Sequence, residues 1–383
     1  MKVALVALTE LGMATAQRVS AGFPDNVELD FFIHEKASKQ RQSELVRLTL
    51  DIDTSEGEST SAELDQQLFR RLADIVPCLW HEYSVLVFVM ATGIVVRQIA
   101  SLIESKDRDP AILVLDEDGK FIIPLLSGHL GGANFWASHL ASQSGAAAVV
   151  TTATDGRGLV APDEYARRYH WKVEPLDHLP AVNRLLLEQG FLKVWTNYTL
   201  QPEYTWVNDV HYQFLSECEK NQANVILSAF PNLNIKEDCV YLIPPILSVG
   251  VGCRRGVSSK VVLEGITSAV KQIGASLKAV AGIYSIDLKS DEQGLIEAAK
   301  YLRVPFQTFK AEELQAVNEQ KNLSRSKFVS EKIGVDGVCE AASLLGSQMG
   351  QLILPKIKGQ GITVAISRGN FLSWASGPEI LLI

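Results

Sequence analysis

The sequence is short of cysteine, and the five it has (Cys78, Cys218, Cys239, Cys253 and Cys339) are odd in number and widely scattered. That pattern gives no disulfide framework, and the absence of any CxxC removes the usual spacing of a zinc site, so no metal site is expected. A reducing, cytoplasmic setting is the natural expectation. Long apolar runs are also missing. The longest charge-free apolar run, residues 83–96, stops at Arg97, short of the roughly 20 residues a membrane helix needs. Lys2 and the apolar residues 3–8 are cut off by Thr9 and Glu10, which reads as a first strand and not as a secretory leader. Positive charge is in deficit: 36 Lys and Arg against 44 Asp and Glu give a net charge of −8. Such a chain is poorly suited to grip nucleic acid by counterion release. Glycine (27) and proline (14) are not in excess, which excludes collagen-like and low-complexity readings.

What is there is a chain of 383 residues, 47% hydrophobic and 21% charged, too long for one ordinary domain. Its first part alternates strands and helices: strands at 3–8, 27–33, 85–89 and 146–150, helices at 13–21, 63–76, 94–103 and 132–142. Leu64, Leu68, Leu72 and Ile75 or Val76 would share a face of the 63–76 helix. Residues 35–61 read as polar loop, and 111–115 with 121–124 flank an Asp-Glu-Asp-Gly turn that suggests a hairpin. The fold class expected is three-domain α/β: an N-terminal doubly wound parallel sheet (1–155), a small α/β middle domain rich in aromatics (156–243) and a C-terminal α/β domain (246–368). Residues 369–383 form a tail without an assigned role. Pro244-Pro245 suits a linker. In the third domain, strands are expected at 246–249, 279–285, 306–309, 351–354 and 363–366. A helix spans 258–273, and a Ser290-x-x-Gln293 capping box opens another.

Three loops of the first domain each follow a strand: MATGIVVR (90–97), LLSGHLGGAN (125–134) and TTATDGRG (151–158). Ligands bind at the carboxyl ends of strands in open α/β sheets, and glycine-rich helix starts favour anions. If the three share an edge, Thr92, Gly93, Arg97, Gly128, Gly131, Gly132, Asn134, Thr152 and Arg157 form a substrate-binding crevice. His129 can move protons near neutral pH, against the alternative of a histidine that only packs. Ser127 is a weak nucleophile candidate, since the G-x-S-x-G elbow is absent. Asp155 either orients or acts as a base, or caps its turn. His139 reads as structural. Downstream, GVGCRRG (250–256) approaches a dinucleotide fingerprint, but Arg254 and Arg255 are bulky where a pyrophosphate would sit. Paired guanidiniums suit carboxylates instead. Cys253 beside them invites a lowered thiol pKa, with an inert thiol as the alternative.

Taken together, FVMATGIVVR, DPAILVLDEDGKFIIPLLSGHLGGAN, VVTTATD, VGVGCRRGVSS, GIYSIDLKSDEQGL and GVCEAASLL resemble the CbiG family, the cobalt-precorrin-5A hydrolases of anaerobic cobalamin biosynthesis. The resemblance runs from about Lys2 to Arg368. It implies a three-domain enzyme acting on a cobalt-bound tetrapyrrole. The δ-lactone derived from the ring A acetate is opened with water, and the C20 carbon leaves with its methyl as acetaldehyde, giving cobalt-precorrin-5B. No cofactor is expected, because the substrate carries the cobalt. The partner expected is that small molecule, not nucleic acid or membrane. His129 activating the water as a base or shuttling the hydroxyl proton, with Ser127 and the 128–132 amides as oxyanion donors, and Arg254 and Arg255 as carboxylate clamps fit this chemistry. An NADP-dependent oxidoreductase and a non-catalytic corrinoid carrier remain the other readings.

Overall fold

The computed structural model describes residues 1–37, 66–199, 205–231, 236, 238–323 and 336–369. Most of the polar loop expected at 35–61, the start of the 63–76 helix and residues 370–383 lie outside them. The chain divides into two compact units, Met1–Arg167 and the residues from Arg168 onward.

In the first unit the order is β1 (Lys2–Ala7), α1 (Glu10–Ser20), β2 (Glu28–His34), β3 (Gln66–Phe69), α2 (Leu72–Glu82), β4 (Val85–Val89), α3 (Thr92–Ile99), β5 (Ala111–Leu115), β6 (Phe121–Leu126), α4 (Ala133–Ser144), β7 (Ala147–Ala148) and α5 (Pro162–Arg168). The sheet order is β3-β2-β1-β4-β5-β6-β7. Strands β3 to β5 run parallel. β4 (VLVFV) and β5 (AILVL) are buried along their whole length, as uncharged strands covered on both faces must be. Alternation sends Val85, Val87 and Val89 to one core, with Met13, Val19, Trp136 and Leu140 from α1 and α4. Leu86 and Phe88 point to the other core, with Val76, Leu79, Trp80, Val95 and Ile99 from α2 and α3.

One element differs in type from its expectation. Residues 66–69, assigned by spacing to the 63–76 helix, form β3, an edge strand paired with β2. Leu68 is exposed and Phe69 buried, the alternation of a strand. Leu72, Ile75 and Val76 do belong to a helix, which starts only at Leu72. The i, i+4 leucine spacing is common to both readings and does not choose between them.

The hairpin expected at 111–124 is present, with β6 antiparallel to β5 and continuing through Pro124 to Leu126. Ile112 faces Leu126 and Leu115 faces Ile122. β7 runs parallel to β6.

The second unit holds two sheets. β8 (Lys172–Glu174), α6 (Leu179–Gln189), β9 (Leu192–Thr196), β10 (Tyr212–Phe214), β11 (Val225–Leu227) and β12 (Val240–Ile243) build a sheet of order β10-β9-β11-β12-β8, with only β8 antiparallel. Trp206, fully buried, lies within ring contact of Trp171, Tyr212 and Phe214. The other sheet follows from β13 (Leu247–Cys253), α7 (Ser259–Gln272), β14 (Val280–Ile286), α8 (Gln293–Leu302), β15 (Phe306–Phe309), α9 (Ala311–Lys321), α10 (Cys339–Gly346), β16 (Gln351–Lys358) and β17 (Ile362–Arg368), in the order β15-β14-β13-β17-β16. Helix α8 starts at Gln293 with Glu292 as its cap residue, so the box expected from Ser290 is not formed.

Candidate active site

Sheet topology sorts the three motif loops. β4 is parallel to β5, with Val89 level with Leu115, so residues 90–97 leave at the Leu115 end. β6 runs the other way and delivers residues 127–134 to the Ala111 end, where the Ser127 hydroxyl donates to the Asp109 carbonyl at 3.1 Å. β7, parallel to β6, sends 151–158 to that same end. The single shared edge expected for the three loops is therefore not formed. Thr92, Gly93 and the exposed Arg97 lie at the opposite edge, a strand length of roughly 16 Å away at about 3.3 Å per residue. The cause is the hairpin: one antiparallel strand exchanges the edges.

The other two loops do meet, around His129. Its Nε2 is 3.0 Å from Asp155 Oδ2 and its Nδ1 3.2 Å from Asp163 Oδ2. The Thr154 hydroxyl stands 3.3 Å from Nε2. Asn134, buried at the start of α4, donates from Nδ2 to Thr152 Oγ1 (2.9 Å) and to Asp155 Oδ2 (3.1 Å). The Thr152 hydroxyl also donates to Asp155 Oδ2. One carboxylate oxygen thus gathers an imidazole, an amide and a hydroxyl. The His129 side chain is 13% exposed, Asp163 5% and Asp155 41%, so Asp155 is the member that solvent or a ligand reaches.

Glycine shapes the loop. Ser127 takes a left-handed φ of 56° and Gly132 one of 85°. A Cβ on Gly131 would stand 2.4 Å from Ser127 Cβ and 2.8 Å from its carbonyl oxygen, so only glycine fits there. The resulting turn consumes its own donors: Gly132 N–H donates to His129 O, Ala133 N–H to Ser127 O and Asn134 N–H to Gly128 O. Of the 128–132 amides expected as oxyanion donors, Gly132 is thus taken by the loop's own carbonyls, as are Ala133 and Asn134 at the helix start, and the Ser127 hydroxyl is directed to Asp109.

Electrostatics decide the state of the imidazole. Burial alone would push His129 down, but the hydrogen bonds to Asp155 and Asp163, with their charges, override it and hold the ring up to about 10. The His129 hydrogen bond, against a desolvation cost and aided by Thr152 and Asn134, holds the Asp155 carboxyl below its ordinary range. At neutral pH the ring is therefore held as a cation between Asp155 and Asp163. The expected role of His129 as a neutral-pH base does not fit it; the cation is a proton donor or a positioning charge.

Asp163 and Thr154 were missed by motif reasoning. The signal for Asp163 is faint: an aspartate after Pro162, in the first turn of α5, reads as ordinary helix-start chemistry. Arg157 is exposed beside Asp155. His139 binds the Gly22 carbonyl at 2.9 Å, a structural contact.

Arg254 and Arg255 belong to the second unit. Arg255 is engaged, its Nη1 donating to Asp291 Oδ1 (3.0 Å) and Nη2 to Asp291 Oδ2 (2.5 Å), so its expected role as a carboxylate clamp is already filled from within the chain. Arg254 is exposed. Gly250 and Gly252 lie inside β13 and not in the loop after it. A Cβ on Gly250 would come within 1.8 Å of the Cys339 carbonyl oxygen, so this glycine admits α10 and not a pyrophosphate. The dinucleotide reading loses its basis. Burial pushes the Cys253 thiol up, which leaves it inert. Among the described residues no cluster of three or more His, Cys, Asp or Glu is arranged to hold a metal ion, and no helix is long and apolar enough to cross a membrane.

Three family profiles match the chain in order: Cobalamin synthesis G N-terminal at 74–155, Cobalamin biosynthesis central region at 160–244 and Cobalamin synthesis G C-terminus at 247–367. The chain is 33% identical over 293 residues to a cobalt-precorrin-5A hydrolase of Salmonella typhimurium, covering 74% of this chain and 82% of that one. It is 29% identical over 307 residues to the cobalt-precorrin-5A hydrolase of Priestia megaterium, covering 76% and 80% respectively. A solved structure of a putative cobalamin biosynthesis protein G homolog from Sulfolobus solfataricus aligns over 96% of this chain and 97% of its own, at 18% identity and a TM-score of 0.35.

Proposed function

The chain belongs to the CbiG family of cobalt-precorrin-5A hydrolases, and from that membership we propose that it opens the δ-lactone of cobalt-precorrin-5A with water. It then releases C20 and its methyl group as acetaldehyde to give cobalt-precorrin-5B. The observation that carries this reading is the 33% identity to a hydrolase of that name over 74% of the chain, joined to a buried polar cluster built by two of the sequence motifs.

In that cluster Asp155 takes the role first expected of His129. It is the exposed member, and as an ionised carboxylate it accepts a proton from the attacking water. The His129 imidazolium supplies positive charge beside the developing oxyanion and a proton for the departing C20 oxygen. The water proton passes to Asp155, the lactone C–O bond breaks, and the C20 hydroxyl is freed. The neutral His129 left by that donation takes back the C20 hydroxyl proton as the carbon–carbon bond at C20 breaks; the C20–O bond becomes the acetaldehyde carbonyl, and the electron pair of the broken bond stays on the macrocycle, which carries the cobalt as part of the substrate. No resident cofactor enters the proposal. A cytoplasmic setting and domain boundaries near residues 155 and 245 complete it.

Anaerobic incubation with cobalt-precorrin-5A, trapping the aldehyde and weighing the product, tests the reading. One acetaldehyde per turnover is expected. Tight binding without aldehyde would select a corrinoid carrier, and saturable NADPH binding an oxidoreductase.

A further inference from the structure

Asp163 lies outside the motifs that carry the family resemblance, eight residues beyond Asp155 and on a separate helix. Its side chain is the least exposed of the cluster, and its Oδ2 faces His129 Nδ1. We infer that Asp163 is a positioning residue: it holds the His129 ring with both nitrogens protonated and the Nε2–H aimed at Asp155, leaving Asp155 as the group that meets the substrate. The inference rests on the reaction proposed above and assigns a residue to that same site.

Hydrogen-bond logic carries it. A neutral imidazole has one N–H and one lone pair. With a carboxylate oxygen 3.2 Å from Nδ1 and another 3.0 Å from Nε2, one nitrogen of a neutral ring would turn its lone pair toward an anion. Only the doubly protonated ring satisfies both contacts. Asp163 also sets the ring plane, because the contact at Nδ1 fixes the direction of Nε2. Glu164 and Arg167, also on α5, pair with each other through two bonds of 2.9 and 2.7 Å, and the Arg167 guanidinium lies over the Phe135 ring. Asp155 and Asp163 are the charges that raise the imidazole, as in arrangements where a buried acid orients a histidine that works on a third group.

The first test needs no substrate. Ring-nitrogen NMR of the full chain at pH 8, with His129 identified by its loss in His129→Gln, should show both nitrogens protonated; a singly protonated ring overturns the inference. In Asp163→Asn the ring should titrate roughly 1–3 pH units lower, and Asp163→Glu should keep it protonated at pH 8. A folded Asp163→Asn with an unmoved titration also overturns it. In turnover, Asp163→Asn should lower kcat by roughly 10- to 10⁴-fold, the span that loss of an orienting carboxylate costs, with KM little changed. That loss should vanish in a His129→Gln background; an additive loss there would show that Asp163 does not act through His129. If no acetaldehyde forms at all the proposed reaction fails, while the NMR result stands or falls by itself.

Discussion

Replacing His129 by Gln removes a cation from between two carboxylates, and the structure says how the cost depends on pH. The ring is protonated in the folded unit up to about 10 against 6.5 for a free histidine. Below pH 6.5 both folded and unfolded chains carry the proton, and the full ion-pair stabilisation is present. As pH rises the unfolded chain releases its proton first, so stability falls, and the contribution is gone above the folded value. At about 1.4 kcal/mol per pH unit, the whole span amounts to about 5 kcal/mol. Asp155 is 41% exposed and solvent screens its share, so about 3 kcal/mol is the part that survives. The lowered Asp155 is the same attraction seen from its partner and is counted once. Screening trims the upper end of the window, so the slope flattens toward pH 8.5 as it does near 6.5, where the unfolded chain is half protonated. The assay is hydrogen exchange of peptides from β4 and β5, corrected for intrinsic rate at each pH. The gap between wild type and His129→Gln should close by roughly 2 kcal/mol across that window. A gap constant to within about 0.5 kcal/mol would refute the argument, because it would mean the two carboxylates do not hold the ring charged.

Other expectations follow from single contacts. Asp155→Asn should cut acetaldehyde release by roughly 10²–10⁴-fold with KM nearly unchanged; turnover within threefold of wild type would return the proton-accepting role to another group. Gly131→Ala forces a Cβ to within 2.8 Å of the Ser127 carbonyl and should lower the stability of the first unit by about 1–3 kcal/mol in urea unfolding, with turnover lost. Arg255→Met should leave KM unchanged within about twofold, since Asp291 already occupies the guanidinium; a large rise in KM would mean that the pair opens to the substrate. Equilibrium dialysis with NADPH should show no saturable binding, since Gly250 serves the close approach of α10.

Much of the fold was legible because burial on both faces leaves a plain mark. The uncharged runs at 85–89 and 111–115 are strands, and 306–309 is a strand with the bounds expected. The third sheet was found in outline, with β13 longer by its glycine-bearing end. Residues 66–69 were misread because a leucine four residues from the next suits a helix face and a short edge strand alike. The loop arrangement was misjudged for a different reason. Each loop was correctly placed after a strand, but the direction of that strand decides its edge, and the hairpin already expected at 111–124 reverses it. Asp163 was not legible, because its role exists only once the chain folds back on residue 129, 34 positions earlier. The protonation of His129 was hidden for the same reason: composition assigns an imidazole its ordinary range, and only the paired carboxylates change it.

β6 serves as a measuring rod. Its six residues carry the chain about 20 Å at 3.3 Å per residue, from the turn at 116–119 to the carbonyl of Asp109, where the Ser127 hydroxyl docks. Shortening the strand by two residues would keep inward side chains inward yet leave Ser127 roughly 7 Å short of that mooring. Shortening it by one would also exchange the two faces of the sheet beyond the cut. The turn at the far end is held too, by α1 and its cap: the Thr9 and Thr15 hydroxyls donate to Glu117, and Arg18 donates to the Asp118 carbonyl. The length of one strand, moored at both ends and set against its neighbour's register, therefore specifies where His129 stands, and a family alignment should show no gaps between Phe121 and Gly132.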